Sequence, residues 1–362
     1  MSSIRATPFH GRAAAANAMN LWRPRAGWTL AAAYDDAAEE ALAARLTCAM
    51  ADISWRWRLM IEGARAEAFL SRLLTRNPAA LEPGAALKAL WLSDGGGLRG
   101  AGLVARHGRE TFELIATSSD LAWIARGATL FDVRVREVLD AEGMLAVVGP
   151  WSARVLEHAG LDPVLEPLKF RKVFWRGLDI TLSRFGEQGG CEIACKADDA
   201  PLVWDRIAKA GSTFALKPAG LDAMDVLDLE AGVPRPGRDY AAARGGFDGA
   251  PSPAELGLDS LVDESHLIFN GRAAYLAAPR SHTRAGVELD SDTPMPHAPL
   301  LGAGREVGRT LHSLYSPALR RAVALAVVDK DASAPGTLLT CGGAMARVVA
   351  LPFLPVPGPV AA

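Results

Sequence analysis

Gly220-Leu-Asp-Ala-Met-Asp-Val-Leu-Asp-Leu-Glu-Ala-Gly-Val-Pro-Arg-Pro-Gly-Arg-Asp-Tyr240 is the run from which the rest of the chain can be ordered. Leu221, Met224 and Leu227 recur at helical spacing, Gly232 stands where a left-handed cap belongs, and Pro234 and Pro236 forbid further helix. The pattern predicts a helix ending at Gly232. Behind it comes a proline-set loop carrying Arg235, Arg238, Asp239 and Tyr240, a segment suited to lining a pocket if the helix is buried, or to a plain solvated turn if it is not.

Upstream, the alanine-rich stretch from Asp35 to Met50 has good helix propensity with acids at its start. Ala51 to Ile61 alternates Trp55, Trp57, Leu59 and Ile61 with Arg56, Arg58 and Met60 and predicts one strand. Helix 64–74, strands 86–93 and 102–106 around the turn Asp94-Gly-Gly-Gly97, strand 111–116, helix 119–127 and strand 133–138 form a mixed unit. A similar order then follows: strand 144–148, helix 151–159, strands 172–175, 179–183 and 191–195, and helix 201–211. This predicts a pseudo-repeat of two α+β modules, roughly 1–140 and 141–278. The N-terminal stretch to Trp28 reads as an extended arm, and Ala241 to Ser252 as a glycine-rich connector. Past a short helical stretch at 276–278, residues 279–362 carry short strands separated by glycine and proline turns, a small antiparallel β-barrel.

The 362 residues suffice for two or three domains with substantial cores, and 50% hydrophobic against 22% charged residues marks a globular chain. A net charge of -2 argues against nucleic acid and anionic membranes as partners and leaves a small-molecule substrate. No apolar run of about 20 residues exists to span a bilayer. The N-terminal stretch lacks the compact apolar core of a secretion signal, so a cytoplasmic protein is expected. Cys48, Cys191, Cys195 and Cys341 lack paired spacing, and the histidines are dispersed. Free thiols and no metal site are therefore expected; on an extended strand Cys191 and Cys195 would face opposite ways or lie far apart.

Several segments in order resemble the family of the glycine-cleavage T-protein (aminomethyltransferase) and its folate-dependent demethylase relatives. The strongest are Gly220 to Gly232 with its Leu229-Glu-Ala-Gly ending, and Gly308-Arg-Thr-Leu-His-Ser-Leu-Tyr-Ser-Pro317 with Ala322-Val-Ala-Leu-Ala326. Val348-Val-Ala-Leu-Pro-Phe353, Phe269-Asn-Gly-Arg272, Arg184 to Ile193 and Thr7-Pro-Phe-His10 add support. The resemblance implies an α+β, three-domain cloverleaf around a channel that tetrahydrofolate threads, and it places Glu192 where the family's glutamate bonds the pterin. A carboxylate can accept two hydrogen bonds from an aminopyrimidine edge; the other reading of Glu192 is a strand residue paired with an arginine such as Arg184.

Departures from the family accompany the likeness. Where the T-protein has aspartate after a double glycine, Gly96-Gly97-Leu98-Arg99-Gly100-Ala101 brings Gly100 or Ala101. Met224 and Asp228 stand at positions of family arginines, and Ser54-Trp55-Arg56 replaces a serine-histidine. Aminomethyl transfer from a lipoyl carrier is not expected from such a site. The expectation is a one-carbon enzyme removing a methyl or hydroxymethyl-derived unit from a small aromatic substrate, with tetrahydrofolate as acceptor. The alternatives are a folate-independent lyase releasing formaldehyde from a hydroxymethyl-bearing arene, and a non-catalytic ligand-binding relative.

Within such a channel, Glu192, Trp91 and Arg99 are the candidates for the cofactor, and Trp55, Trp57 and Arg235 for the substrate: indoles give flat walls and arginine holds a carboxylate or phenolate. Tyr240 or Asp239 is the candidate proton donor or base, with His10 and His312 as alternatives.

Overall fold

The computed structural model describes residues 4–138, 141–186, 189–244 and 249–356. The predicted helix spans Leu221–Glu230, and Gly232 follows at φ +72°, the left-handed conformation the sequence pattern requires. The helix is buried all round. Leu221, Ala223, Leu227 and Leu229 are enclosed, and so are Asp225, Asp228 and Glu230. Buried carboxylates persist only when paired: Asp225 accepts from Arg25 at 2.6 Å, Asp228 from Arg235 at 2.6 Å, and Glu230 from the Arg45 guanidinium and the Ser316 hydroxyl. The axis of the molecule is therefore a helix whose polar face is neutralised by three other parts of the chain.

Around it stand three larger sheet-based units. In a six-stranded sheet the order is Phe170–Trp175, Leu178–Ser183, Cys191–Lys196, Glu142–Val148, Ala49–Asp52 and Lys217–Pro218. Helices Ser152–Ala159 and Ala200–Gly211 supply Val155, Leu156, Val203 and Ile207 to the core it shares with Leu145, Leu182 and Ile193. A five-stranded sheet runs Ala85–Leu92, Leu98–Arg106, Thr111–Ala116, Trp57–Glu62 and Arg134–Glu137, with helices Ala66–Leu73 and Leu121–Thr129. Its Leu59 and Ile61 are fully enclosed, each worth about 1.5–3 kcal/mol in surface removed from water. The third unit is a closed barrel of six strands between His282 and Val349, all neighbouring pairs antiparallel. The fold is α+β with a C-terminal antiparallel barrel, as expected.

Two local expectations are corrected. The stretch 51–61 is not one strand: Ala49–Asp52 belongs to the six-stranded sheet and Trp57–Glu62 to the five-stranded one. Asp52 Oδ1 accepts the Ser54 amide at 3.0 Å, an Asx-type turn that ends the first strand. The alternation continues across that turn, so periodicity cannot reveal the change of sheet. The N-terminal stretch is not an extended arm either. It forms helix His10–Ala16 and a three-stranded sheet of Arg5–Ala6, Trp28–Ala31 and Trp22–Arg25, fastened to the central helix by Arg23 and Arg25 on Asp225.

The four cysteines are buried free thiols, and Cys191 and Cys195 share one core on one face of their strand. The helical stretch expected near 276–278 is Arg272–Ala277. Residues 245–248 of the connector, and Glu187 and Gln188 of the glycine-rich segment before Cys191, lie outside the described residues.

Candidate functional site

After Gly232 the chain turns back on the central helix. The Val233 amide donates to Asp228 O at 3.0 Å, the Gly237 amide to Tyr240 O at 2.8 Å and the Asp239 amide to Arg235 O at 2.9 Å, which folds residues 233–240 into a closed loop. The loop aims Arg235 back at Asp228, with guanidinium to carboxylate 2.6 Å. Although burial works against the charge on Asp228, Arg235, and beyond it Arg238 and Arg56, hold its pKa below the usual carboxylate range.

Arg56, on the turn between the two large sheets, makes the second pair. Its Nη1 lies 2.6 Å from Glu192 Oε1 on strand Cys191–Lys196, and Glu192 is 2% exposed. Arg184 instead donates to the Leu165 carbonyl at 2.9 Å. The other Glu192 oxygen, Oε2, is buried without a hydrogen-bond partner among the described residues. Buried carboxylate oxygens are seldom left so, and this one has the capacity to accept a further hydrogen bond.

Two cavities meet at these arginines. The first, between the N-terminal sheet and the central helix, is lined by His10, Trp22, Asp52, Trp55, Met224 and Asp228, among others, and its free space of about 20 Å³ holds roughly one water. Asp52 is buried there. Its Oδ2 accepts from the Thr7 hydroxyl at 2.5 Å, and burial raises its pKa against the opposing pull of Ser54, Thr7 and His10. His10 Nδ1 is buried and partnerless among the described residues. The second cavity, about 350 Å³, opens between the five-stranded sheet, the loop after the central helix and the barrel, and is lined by Lys88, Ala101, Phe185, Pro234, Leu258 and Arg284, among others. Arg56 and Arg235 line both.

Of the residues singled out from sequence, Trp55, Arg235 and, through Arg56, Glu192 come together here. Trp55 is 8% exposed, with the Arg25 guanidinium 5.1 Å from its ring centre. Trp91, Trp57 and Arg99 line neither cavity. Trp91 is fully enclosed in the core of the five-stranded sheet and donates to Asp120; Trp57 is buried in the same core and donates to Glu137; Arg99 forks onto Asp120 at 2.7 and 2.9 Å beneath Trp123. Strand alternation sends Trp57 and Trp91 to the helix-covered face, and the bulge that leaves Arg99 unpaired between Leu98 and Gly100 brings it to the same Asp120 as Trp91; the sequence pattern could not distinguish this face from the cavity face.

The loop residues differ from one another. The Asp239 carboxylate accepts from the Arg235 amide at 2.5 Å and from Arg238 Nε and Nη2 at 3.0 Å, so both its oxygens are engaged. Tyr240 is 8% exposed and its hydroxyl is buried without a partner among the described residues. Burial, then Asp239, raises its pKa, so it holds its proton. His312, on barrel strand Arg305–Ser316, has a partnerless Nε2, and burial, then Arg238, lowers its pKa. Sequence reasoning treated Arg56 only as a departure and passed over Asp52 and Arg284. Isolated polar residues in strands carry no motif, and long-range pairing gives them their meaning.

The GCVT N-terminal domain matches residues 9–265, and the glycine-cleavage T-protein C-terminal barrel domain matches residues 283–354. The chain belongs to this family. An aminomethyltransferase of Moorella thermoacetica is 30% identical over 98% of this chain and 98% of its own length, and one of Geobacillus kaustophilus is 30% identical over 86% and 87%. The aminomethyltransferase T of Bartonella henselae superposes with a TM-score of 0.87 at 24% identity, covering 98% of this chain and 99% of that one, which speaks for the T-protein fold. Within this T-protein fold, Gly100 and Ala101 sit opposite ways on one strand: Gly100 faces the Trp91 ring, and Ala101 faces the larger cavity.

Proposed function

We propose that this T-protein relative is a one-carbon enzyme that removes a methyl or hydroxymethyl-derived unit from a small aromatic substrate and delivers it to tetrahydrofolate. The observation that carries the reading is the Glu192 Oε2 atom, buried and without a partner among the described residues while Arg56 occupies the other oxygen. An aminopyrimidine edge offers the paired N–H donors such a carboxylate needs. Bound tetrahydrofolate would supply the nitrogen nucleophile that accepts the one-carbon unit. Glu192 would hold the pterin and Arg56 would keep its carboxylate oriented, while Trp55 would wall the smaller cavity beside them. Tyr240, whose hydroxyl keeps its proton and has no acceptor among the described residues, is the proposed proton donor to the leaving oxygen or carbon. Since the Asp239 oxygens are engaged by Arg235 and Arg238, its part in this reading is to orient the loop that carries Tyr240.

Thermal unfolding with and without tetrahydrofolate tests the acceptor. At a hundredfold excess over Kd the wild-type protein gains about 2.7 kcal/mol, and Glu192→Gln, which keeps a carbonyl for Arg56, loses most of that gain. No stabilisation overturns the assignment. Equal formaldehyde release with and without folate also overturns it, and favours the lyase reading.

A further inference from the structure

We infer that the larger cavity takes a substrate bearing a carboxylate, with Arg284 as its anchor. This deepens the one-carbon reading and rests on it for the identity of the cavity as a substrate chamber.

Charge is the first observation. The cavity of about 350 Å³ is lined by Arg56, Lys88, Arg235 and Arg284, and no aspartate or glutamate is among its described lining residues. Arg56 and Arg235 are already offset by Glu192 and Asp228, each at 2.6 Å. Arg284 differs. Nη1 donates to Gly232 O at 2.6 Å and Nη2 to Gly257 O at 3.5 Å, both neutral carbonyls, and no carboxylate lies within ion-pair distance among the described residues. Two of the five N–H groups of this guanidinium are thus used among the described residues, and none of their carboxylates forms an ion pair with it. Burial works against that charge and lowers the Arg284 pKa, with Asp239 opposing at longer range. A partly buried cation held, among the described residues, by carbonyls alone is a setting in which an anion binds well, because part of the desolvation has already been borne by the fold.

The second observation is what the wall lacks. Ala101 presents a methyl group to the cavity, and Gly100 beside it cannot present anything, because its side-chain space is filled by Trp91. A chamber for an amine needs an acid on its wall. This one has an apolar strand face of Ala101, Leu103 and Ile115 opposite the basic side. Such a division suits a molecule with a flat apolar body and one anionic end, and one guanidinium without an ion pair among the described residues matches one carboxylate through a bidentate pair.

Isothermal titration without folate, using benzoate, benzyl alcohol and benzylamine as probes sharing one ring, tests the inference. Benzoate is expected to bind at least about tenfold more tightly than the other two, a difference of about 1.4 kcal/mol. Arg284→Gln should remove that preference while the tetrahydrofolate stabilisation stays unchanged. If Arg284→Gln fails to fold, Ala101→Asp, which places a carboxylate in the same wall, should weaken benzoate at least about tenfold and admit benzylamine. Equal binding of all three probes, an Ala101→Asp protein that still prefers benzoate, or competition by inorganic phosphate as strong as benzoate's own binding overturns the proposal. Because the probes are scored without folate, loss of the acceptor reading shows only in the tetrahydrofolate experiment.

Discussion

The indole of Trp91 occupies the space into which a side chain at Gly100 would extend: a Cβ there would lie 2.1 Å from Trp91 Cζ2. The two residues face each other across neighbouring antiparallel strands. Trp91 is fully enclosed and its Nε1 is bound to Asp120 at 3.1 Å, so the ring has nowhere to retreat. Gly100→Ala is therefore expected to destabilise by about 1–3 kcal/mol through overpacking, and Gly100→Asp by more, because it also buries a charge. Ala101→Asp, facing the cavity, should cost less than either. Urea unfolding of the three variants ranks them; equal stabilities would contradict the packing.

Arg56 and Glu192 should behave as a unit. Arg56→Ala leaves the Glu192 carboxylate, 3% exposed, without its cation, and the expected loss is about 3–5 kcal/mol. Arg56→Ala with Glu192→Gln removes the stranded charge and should recover a large part of that loss. A double-mutant cycle in denaturant measures the coupling, and additive losses would show that the pair is not coupled.

Asp52 predicts a pH dependence with a defined sign. Burial raises its pKa in the folded protein, so the fold favours the protonated form. The stability it contributes is fully present below the unfolded value of about 3.9 and is lost as pH rises from there through the raised folded value. Asp52→Asn mimics the neutral form, retains an acceptor for the Ser54 amide, and should cancel that fall. Subtracting the two stability-versus-pH curves isolates the effect, and a difference that grows with acidity in the mutant's favour would reverse the sign.

Glu230 joins the central helix to helix Ala37–Leu46 through Arg45 and to the barrel through Ser316. The Phe353 amide adds a bond to its carbonyl at 2.8 Å. Glu230→Ala would leave Arg45, 11% exposed, without its carboxylate and with only the Pro355 carbonyl at 3.1 Å among the described residues, at a cost of about 3–5 kcal/mol. Hydrogen exchange should then rise in barrel strand Arg305–Ser316 ahead of the five-stranded sheet, which Glu230 does not touch.

Much of the fold could be read because it is written in local chemistry. The Leu221, Met224, Leu227 spacing and Gly232 place the central helix, and glycine and proline turns divide the barrel strands. What escaped was set at long range. The change of sheet at Ile53–Arg56 is invisible to alternation, and the N-terminal sheet is defined by Arg23 and Arg25 reaching Asp225 some 200 residues away. For the site, the likeness singled out Glu192 and the loop chemistry singled out Arg235. Trp57 and Trp91 looked equally suitable, since composition cannot tell an indole in a sheet's covered core from one on a chamber wall.

Arg56 and Arg235 belong to both cavities, so whatever fills one chamber leans on a partition that the other shares. A guest that draws either guanidinium towards itself loosens that cation's hold on Glu192 or Asp228, and the neighbouring compartment feels the slack. Any influence that a guest in one compartment has on a guest in the other across this shared wall must be returned in equal measure.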